Sequence, residues 1–526
     1  DVYKRQMRRI GSRDYPLGGG QSVEPTQGLI AVLGVQAAGL EQYPACRIPN
    51  SAAAPTGHEL TGVIAGLAVE NLPDRWHGYV AYDALVWTGS GLGADPASLK
   101  ESQADAIREW VRRGGHLIVV MPSVGQSWYG VNGPTGPLAD ILPDTRAVAN
   151  EGVELEPYRA LMTSDNAVVL PKNAVVHTFE TPGGRTPAPF DAMPLMVGVG
   201  GDTVVVRRLS GTGAVTVVGI DLTTRALRAP GALQAQQFWN RVLGKRMKVL
   251  TPESLDKLTK ATPSQYAFER TPIDFDRPIA DVISKQSKAA KGLLVAFAVF
   301  VAYWLLAGPA GYLLLKKRKQ VHHAWVAFSA VTAVFALVGW GASSTLKLGR
   351  DLDKHYTLID HVYGQTNARM RSWVELTLPK YGEQRVSVKS PESTFNWHNL
   401  LTAWESGSEN STRSSFPDAR PYVVDTRSPD TAEFPARATT RQLQIDFAGA
   451  VPSNWDMIRP LAAEGVPLGQ EIYIEDSSLA AGTGPSRDGR WKIQGKLTHN
   501  LPGPLHDVFI FVVREVNLRD LRGDEP

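Results

Sequence analysis

The sequence predicts a multidomain protein: an α/β domain, a two-helix transmembrane hairpin and an all-β, sandwich-like C-terminal domain. Three observations predict it: alternating strand and helix patterns before residue 245, two long uncharged apolar runs, and alternating strand patterns after residue 347. With 526 residues the chain is too long for a single core. The predicted division is a truncated or non-native leader (1–24), the α/β domain (25–245), a linker (246–290), the hairpin (291–346) and the β-rich domain (347–526).

In the α/β domain, strand patterns cover 28–34, 82–89 and 116–121. A helix is predicted to start at Ser98, because Ser98 and Glu101 form the S-x-x-E pattern of a capping box, and to end at Gly114-Gly115. A hairpin over 203–209 and 214–220 and a helix over 234–243 complete the domain.

The hairpin prediction depends on charge and length. Residues 292–315 form 24 consecutive uncharged positions, which as a helix more than cover a hydrocarbon core of roughly 30 Å. A second run, 321–346, also lacks Asp, Glu, Lys and Arg. A buried soluble hairpin is the alternative. Four cations, 316–319, join the runs and predict a cytoplasmic loop, so that both soluble regions lie outside a bacterial inner membrane.

Export of the first domain requires a targeting segment, and none is recognisable at the N-terminus. The chain begins with Asp1 in the sequence DVYKRQ, which resembles translated adaptor sequence. We therefore expect a fragment whose signal peptide or additional transmembrane helix is missing.

The C-terminal region predicts strands. Apolar residues alternate around Val374, Val386 and Ile445, and 508–513 is a continuous apolar run. The polar stretch 406–440 is predicted to be a long insertion. A β-sandwich is the expected architecture for such a series.

Composition excludes several function classes. Hydrophobic residues make up 43% of the chain and charged residues 20%, as in folded proteins. The single cysteine, Cys46, excludes an intrachain disulfide and a thiolate metal cage. A net charge of +3 gives no electrostatic footprint for nucleic acid. We expect no metal, no cofactor and no nucleic-acid partner.

Three phrases carry a family resemblance: YDALVWTGSG (82–91), AIREWVRRGGHLIVV (106–120) and GTGAVTVVGIDL (211–222). With them, region 25–245 resembles the class I glutamine amidotransferase-like fold, which implies a flavodoxin-like α/β sheet. Together with the hairpin GPAGYLLLKKRKQVHHAW, the chain is similar to uncharacterised bacterial membrane proteins with a degenerate glutaminase-like domain outside the membrane. It is more distantly similar to auxiliary subunits of gliding-motility-type ABC transporters.

The resemblance also implies where catalytic residues should lie. The family places its cysteine in G-x-C-x-G after the strand 116–121, and here Ser123 occupies that position. The family's H-x-E is replaced by TTRALRAP after GIDL. No catalytic residue is therefore predicted. Ser123 is retained only as an alternative nucleophile, with His116 and His177 as the nearest histidines in sequence.

Three functions remain open. The first is a non-catalytic, membrane-anchored binding or scaffolding protein whose partners are the lipid bilayer and other membrane proteins. The second is an accessory subunit of a transporter or membrane complex, with Gly308, Ala310 and Gly311 allowing close helix approach. The third is a residual hydrolase using Ser123. The pair His322-His323 is interpreted as anchoring at the membrane boundary rather than as a metal site or pH sensor.

Overall fold

A computed structural model gives the fold. It describes residues 28–34, 38–40, 46–47, 61–89, 93–125, 128–181, 191–198, 200–228, 231–245, 248–249, 279, 289–347, 354–362, 365–377, 382–388, 399–403, 428–436, 440–450, 459–460, 497–498 and 503–509. The predicted leader and nearly all of the predicted linker lie outside these residues. The chain divides into two compact units, Asp1–Gly449 and Ala450–Pro526.

The first part of the chain is α/β. Its strands are β1 (Gly28–Leu33), β2 (Cys46–Arg47), β3 (Thr61–Leu67), β4 (Ala84–Trp87), β5 (His116–Val120), β6 (Tyr129–Gly130), β7 (Gly133–Pro134), β8 (Arg146–Val153), β9 (Ala174–Glu180), β10 (Met193–Val197), β11 (Thr203–Ser210), β12 (Gly213–Val218) and β13 (Lys248–Val249). Its helices are α1 (Glu101–Arg112), α2 (Arg159–Met162) and α3 (Asn240–Leu243), the last continuing a π-helical turn, Ala235–Trp239.

Seven strands form one mixed sheet in the order β10-β11-β12-β5-β4-β1-β3. The strands β3, β1, β4, β5 and β12 run parallel, while β11 and β10 extend the edge in antiparallel pairing. The predicted hairpin is confirmed as β11–β12, closed by a two-residue turn. Three strand pairs lie outside this sheet: β2–β13, β6–β7 and β8–β9.

Both faces of the sheet are buried. Along β1, Ile30 and Val32 enter one hydrophobic cluster, while Ala31 and Leu33 enter another. Neighbouring side chains on a strand point to opposite faces, so an uninterrupted apolar strand indicates cover on both sides. This arrangement explains the continuous apolar character of the predicted strands.

Helix α1 starts later than predicted. It begins at Glu101, and the backbone N–H of Lys100 donates to Oε1 of Gln103 at 3.1 Å. Ser98 instead ends a 3-10 turn, where its hydroxyl donates to the carbonyl of Asp95 at 2.6 Å. The predicted cap at Ser98 is wrong because Asp95-Pro96 starts a separate turn first. Gly115, which follows the helix, lies directly against Trp110, since a Cβ at Gly115 would be 2.3 Å from the Trp110 ring.

Three helices follow: α4 (Ala289–Ala307), α5 (Pro309–Lys317) and α6 (Ala324–Lys347). Two stretches, Phe297–Lys317 and Val321–Gly341, are long and apolar enough to cross a membrane. No part of either stretch is buried in the protein, and Trp325 is 72% exposed. The alternative of a buried soluble hairpin does not fit this exposure. Gly308 leaves the helical conformation and separates α4 from α5, which begins at Pro309.

The β-rich part contains β14 (Lys354–His361), β15 (Asn367–Thr377), β16 (Gly382–Ser387), β17 (Leu400–Ala403), β18 (Thr431–Ala436) and β19 (Thr440–Ala450). Four strands form a sheet in the order β14-β15-β19-β17, and β16 pairs with β18. Leu401 and Leu443 of the first sheet pack against Val386 and Ala432 of the second. Strand β18 lies within the predicted insertion 406–440, whose earlier part, 406–427, is outside the described residues.

In the second unit, β20 (Arg459–Pro460) pairs antiparallel with β21 (Leu497–Thr498). The strand predicted over 508–513 is not seen at residues 508–509, which have no regular structure. Residues 510–513 lie outside the described residues.

Candidate functional site

Ser123 lies just beyond β5, at the carboxyl edge of the parallel strands, where open α/β sheets usually bind ligands. Its hydroxyl donates to Oδ2 of Asp221 at 2.8 Å, and its backbone N–H donates to the same oxygen at 3.0 Å. The other oxygen of Asp221 accepts from the N–H and hydroxyl of Thr223, at 2.9 and 2.6 Å. A carboxylate that accepts four hydrogen bonds joins two loops and is not placed as a free base.

The two histidines considered as bases for Ser123 lie elsewhere. His116 starts β5, at the opposite end of the strand, with its Nε2 2.8 Å from the hydroxyl of Thr216. Burial, assisted by Arg207, lowers the pKa of His116 to about 3, so its imidazole is neutral at physiological pH. His177 lies on β9, and burial lowers its pKa. Neither imidazole is hydrogen-bonded to Ser123 in the described part of the chain.

We expect the protein to release no ammonia from glutamine. The family's cysteine is absent, and the Ser123 hydroxyl is bound to a carboxylate rather than to an imidazole. Ser123→Ala should leave the blank rate unchanged in a coupled glutamate assay on purified protein. A rate above blank that disappears in Ser123→Ala would establish the hydrolase alternative instead.

No metal site was predicted, and no group of three His, Cys, Asp or Glu side chains that could hold a metal ion occurs among the described residues. His322 and His323 lie next to each other, with ring centroids 3.9 Å apart, in the short turn that precedes α6. Cys46 lies on β2, at the edge of a two-stranded sheet.

A buried ionic cluster joins the α/β and β-rich parts. Arg113, at the end of α1, is 2% exposed and pairs with Glu109 at 3.0 Å and with Asp446 of β19 at 2.9 Å. Its guanidinium lies over the ring of Trp76, 4.0 Å from the centroid. Burial lowers the pKa of Arg113, while Glu109 and Asp446 raise it. A charge this deeply buried is tolerated because it has carboxylate partners.

Further bonds extend the same contact. Arg369 of β15 donates through Nε to Asp446 at 3.2 Å and through Nη1 to the carbonyl of Arg113 at 2.8 Å. The side-chain oxygen of Asn399 accepts from Nη2 of Arg113 at 3.2 Å. At the turn between β11 and β12, the N–H of Gly211 donates to the side-chain oxygen of Gln365 at 3.0 Å. The two domains therefore meet through specific polar contacts.

Sequence reasoning missed this cluster. Arg113 and Asp446 are 333 positions apart, and no sequence pattern relates one to the other. The Ser123–Asp221 bond was missed in part. Asp221 lies within the segment GIDL, which was recognised, and a carboxylate shortly after a buried strand is a usable indication of a loop contact.

A cavity of about 500 Å³ lies beside the ionic cluster, at the amino ends of the parallel strands. The α/β part supplies Asp83, His116, Arg207 and Lys245 to its wall, and the β-rich part supplies Arg369. The wall is therefore built by both domains, and most of its charged side chains are cationic.

No protein-family model and no curated protein matches the chain. Solved structures match it weakly. The cytoplasmic protein STM1381 from Salmonella typhimurium LT2 is 14% identical, with a TM-score of 0.26 over 41% of this chain and 98% of its own. The cytoplasmic protein STM3548 from Salmonella typhimurium is 12% identical, with the same coverage and TM-score.

The exo-beta-1,4-mannosidase Op5Man5 from Opitutaceae bacterium strain TAV5 is 14% identical, with a TM-score of 0.21 over 41% of this chain and 34% of its own. TM-scores this low carry no argument about fold or activity. The resemblance to glutamine amidotransferases stays a prediction.

Proposed function

We propose that this chain is a non-catalytic, membrane-anchored protein that presents a degenerate glutaminase-like α/β domain and a β-sandwich domain outside a bacterial inner membrane. Its role is to bind or scaffold other molecules there. The observation that carries the proposal is the ionic contact between Arg113 and Asp446, residues that lie on either side of the apolar hairpin in sequence.

The contact has a topological consequence. A helical hairpin that crosses a membrane twice returns the chain to the side from which it started. Two domains that touch through a buried ion pair must lie on one side of a membrane. The apolar side chains exposed on α4 to α6 support the proposal that lipid surrounds these helices. Without lipid, a large apolar surface would be exposed to water.

Strand order supports the glutaminase-like part of the proposal. Numbered along the chain, the five parallel strands of the main sheet follow the order second, first, third, fourth, fifth, which is the flavodoxin-like order. Ser123 lies where class I glutamine amidotransferases have their cysteine, so the resemblance to that family also supports a domain without glutaminase activity. The packing of β16–β18 against the four-stranded sheet supports the sandwich.

The orientation is tested with single cysteines in a Cys46→Ser background. Ser102→Cys in α1 and Ser387→Cys in β16 are exposed positions in the two soluble domains, and Gln320→Cys lies in the loop between the apolar helices. We expect an impermeant thiol reagent to label Ser102→Cys and Ser387→Cys in intact spheroplasts. Gln320→Cys should react only after permeabilisation, because the cations beside it keep the loop cytoplasmic.

Permeabilised cells serve as the control for reactivity at all three positions. Labelling of Gln320→Cys in intact spheroplasts would show that the orientation is the reverse of the one proposed. Protection of only one of the two domain positions would refute the shared side.

A second function, an accessory subunit of a transporter or membrane complex, is favoured by one observation. An apolar cavity of about 760 Å³ lies between α5 and α6, lined in part by Gly308, Ala310 and Gly311. Small residues allow a partner helix to approach closely. Purification of the tagged protein in mild detergent distinguishes the two functions, because a stoichiometric ATPase partner supports the subunit and its absence supports the first proposal.

A further inference from the structure

The cavity between the two soluble domains has an uneven balance of charge. The cationic side chains in its wall are Arg113, Arg207, Lys245 and Arg369. The carboxylates that pair with them are Glu109, Asp446 and Asp83, the last 3.4 Å from Lys245. Among the described residues of the wall and their ion pairs, four cations and three carboxylates leave one positive charge, and that charge is on Arg207.

In the part of the chain that the structure describes, Arg207 is held by neutral groups. Its Nε donates to the hydroxyl of Thr216 at 3.0 Å, and its Nη2 donates to the carbonyl of Val242 at 2.7 Å. No carboxylate in the described segments forms an ion pair with it. Burial lowers its pKa, and no neighbouring carboxylate raises it again. An uncompensated guanidinium in a partly closed cavity is energetically unfavourable, and a bound anion would compensate it.

The size and the remaining wall indicate the kind of anion. A volume of about 500 Å³ lies within the usual range for small-molecule sites. Apolar side chains, among them Val80, Leu209 and Leu243, complete the wall. His116 is neutral and adds no charge near physiological pH. A guanidinium pairs best with the oxygens of a planar carboxylate or of a tetrahedral phosphate.

We propose that this interdomain cavity binds a small organic anion, one carboxylate or phosphate group of which pairs with Arg207. Arg369 and Val362 of the β-rich domain also line the cavity, so the bound anion contacts both domains. Binding here does not depend on the orientation of the protein in the membrane.

The test uses the full-length protein in detergent and isothermal titration with three probes: succinate, inorganic phosphate and sn-glycerol 3-phosphate. Potassium chloride at equal ionic strength is the reference. We expect saturable binding of at least one probe, and the preferred probe separates a carboxylate from a phosphate ligand. Arg207→Gln should weaken that binding at least tenfold.

Arg208→Gln is the matched control. Arg208 is the next residue of β11. It donates to the backbone carbonyls of Asp140 and Leu142 and pairs with Asp191 at 3.3 Å, but it does not line the cavity. Its replacement should change the affinity less than twofold. Equal loss in both variants, or no binding of any probe beyond the chloride reference, would overturn the proposal.

A second measurement needs no variant and remains decisive if Arg207→Gln does not fold. Phenylglyoxal modifies accessible guanidinium groups, and mass spectrometry locates each modified arginine. Saturating succinate or phosphate should reduce modification of Arg207 several-fold and leave Arg208 unchanged. Unchanged modification of Arg207 at saturating concentrations of all three probes would refute the site.

Discussion

Asp446→Asn is expected to destabilise the contact between the two soluble domains by roughly 3–5 kcal/mol. The substitution removes the negative charge from between Arg113 and Arg369, and of the two carboxylates seen to pair with Arg113, which is 2% exposed, only Glu109 then keeps its charge. Removing one member of a buried ion pair costs about this much because the other charge stays out of water. The measurement is the thermal midpoint of the full-length protein, followed by tryptophan fluorescence.

Asp360→Asn is the matched control for Asp446→Asn. Asp360 of β14 also pairs with an arginine, Arg371 of β15, at 3.2 Å, but both side chains are more than a third exposed. An exposed pair contributes at most about 1 kcal/mol. Similar midpoints for the two variants would mean that Asp446 does not join the domains as described.

Trp110→Ala is expected to destabilise the α/β domain by roughly 3–5 kcal/mol, since the substitution removes a large buried side chain and leaves a cavity. Trp110 is 4% exposed, and its ring centroid lies 5.6 Å from that of Tyr79. Gly115 also lies against this ring, because a Cβ at Gly115 would be 2.3 Å from it. The measurement is urea unfolding of the isolated region 25–245.

That region is expected to unfold in a single transition, because about 220 residues can bury roughly 70% of their unfolded surface. Trp110→Phe keeps part of the volume and should cost clearly less than Trp110→Ala. Glu101→Ala, at the exposed start of the same helix, should cost less than about 0.5 kcal/mol. If Trp110→Ala were as mild as Glu101→Ala, α1 would not pack on the sheet as described.

Local sequence patterns predicted several of the elements, chiefly those at the centre of the main sheet and the apolar helices. The strands near residues 28, 84 and 116, the β11–β12 hairpin and the helix that ends before Gly114 were all predicted. Such predictions succeed because burial on one or both faces of a strand or helix imposes a regular spacing of apolar residues along that element. The start of α1 was misplaced because two overlapping turn and cap patterns compete over residues 95–103.

The candidate site was much less accessible to sequence reasoning. Ser123 was singled out from the sequence, but its partner Asp221 lies 98 positions further on. The cationic cavity was not predicted, because its wall combines residues from strand ends, a helix end and a second domain. None of these residues has a short-range pattern that distinguishes it from an ordinary surface arginine or lysine.

The sequence by itself determined that this protein has two apolar, membrane-length segments joined by a basic turn, with an α/β pattern before them and strand patterns after them. Hydrophobicity and its period are properties of neighbouring residues, so no tertiary information was needed. Only the tertiary structure decided that Arg113 pairs with Asp446 and that Arg207 has no carboxylate partner among the described residues. The interaction energy of a charged side chain depends on which groups the fold brings within a few ångströms of it and on how far the fold excludes water. Neither can be read from the residues adjacent to it in sequence.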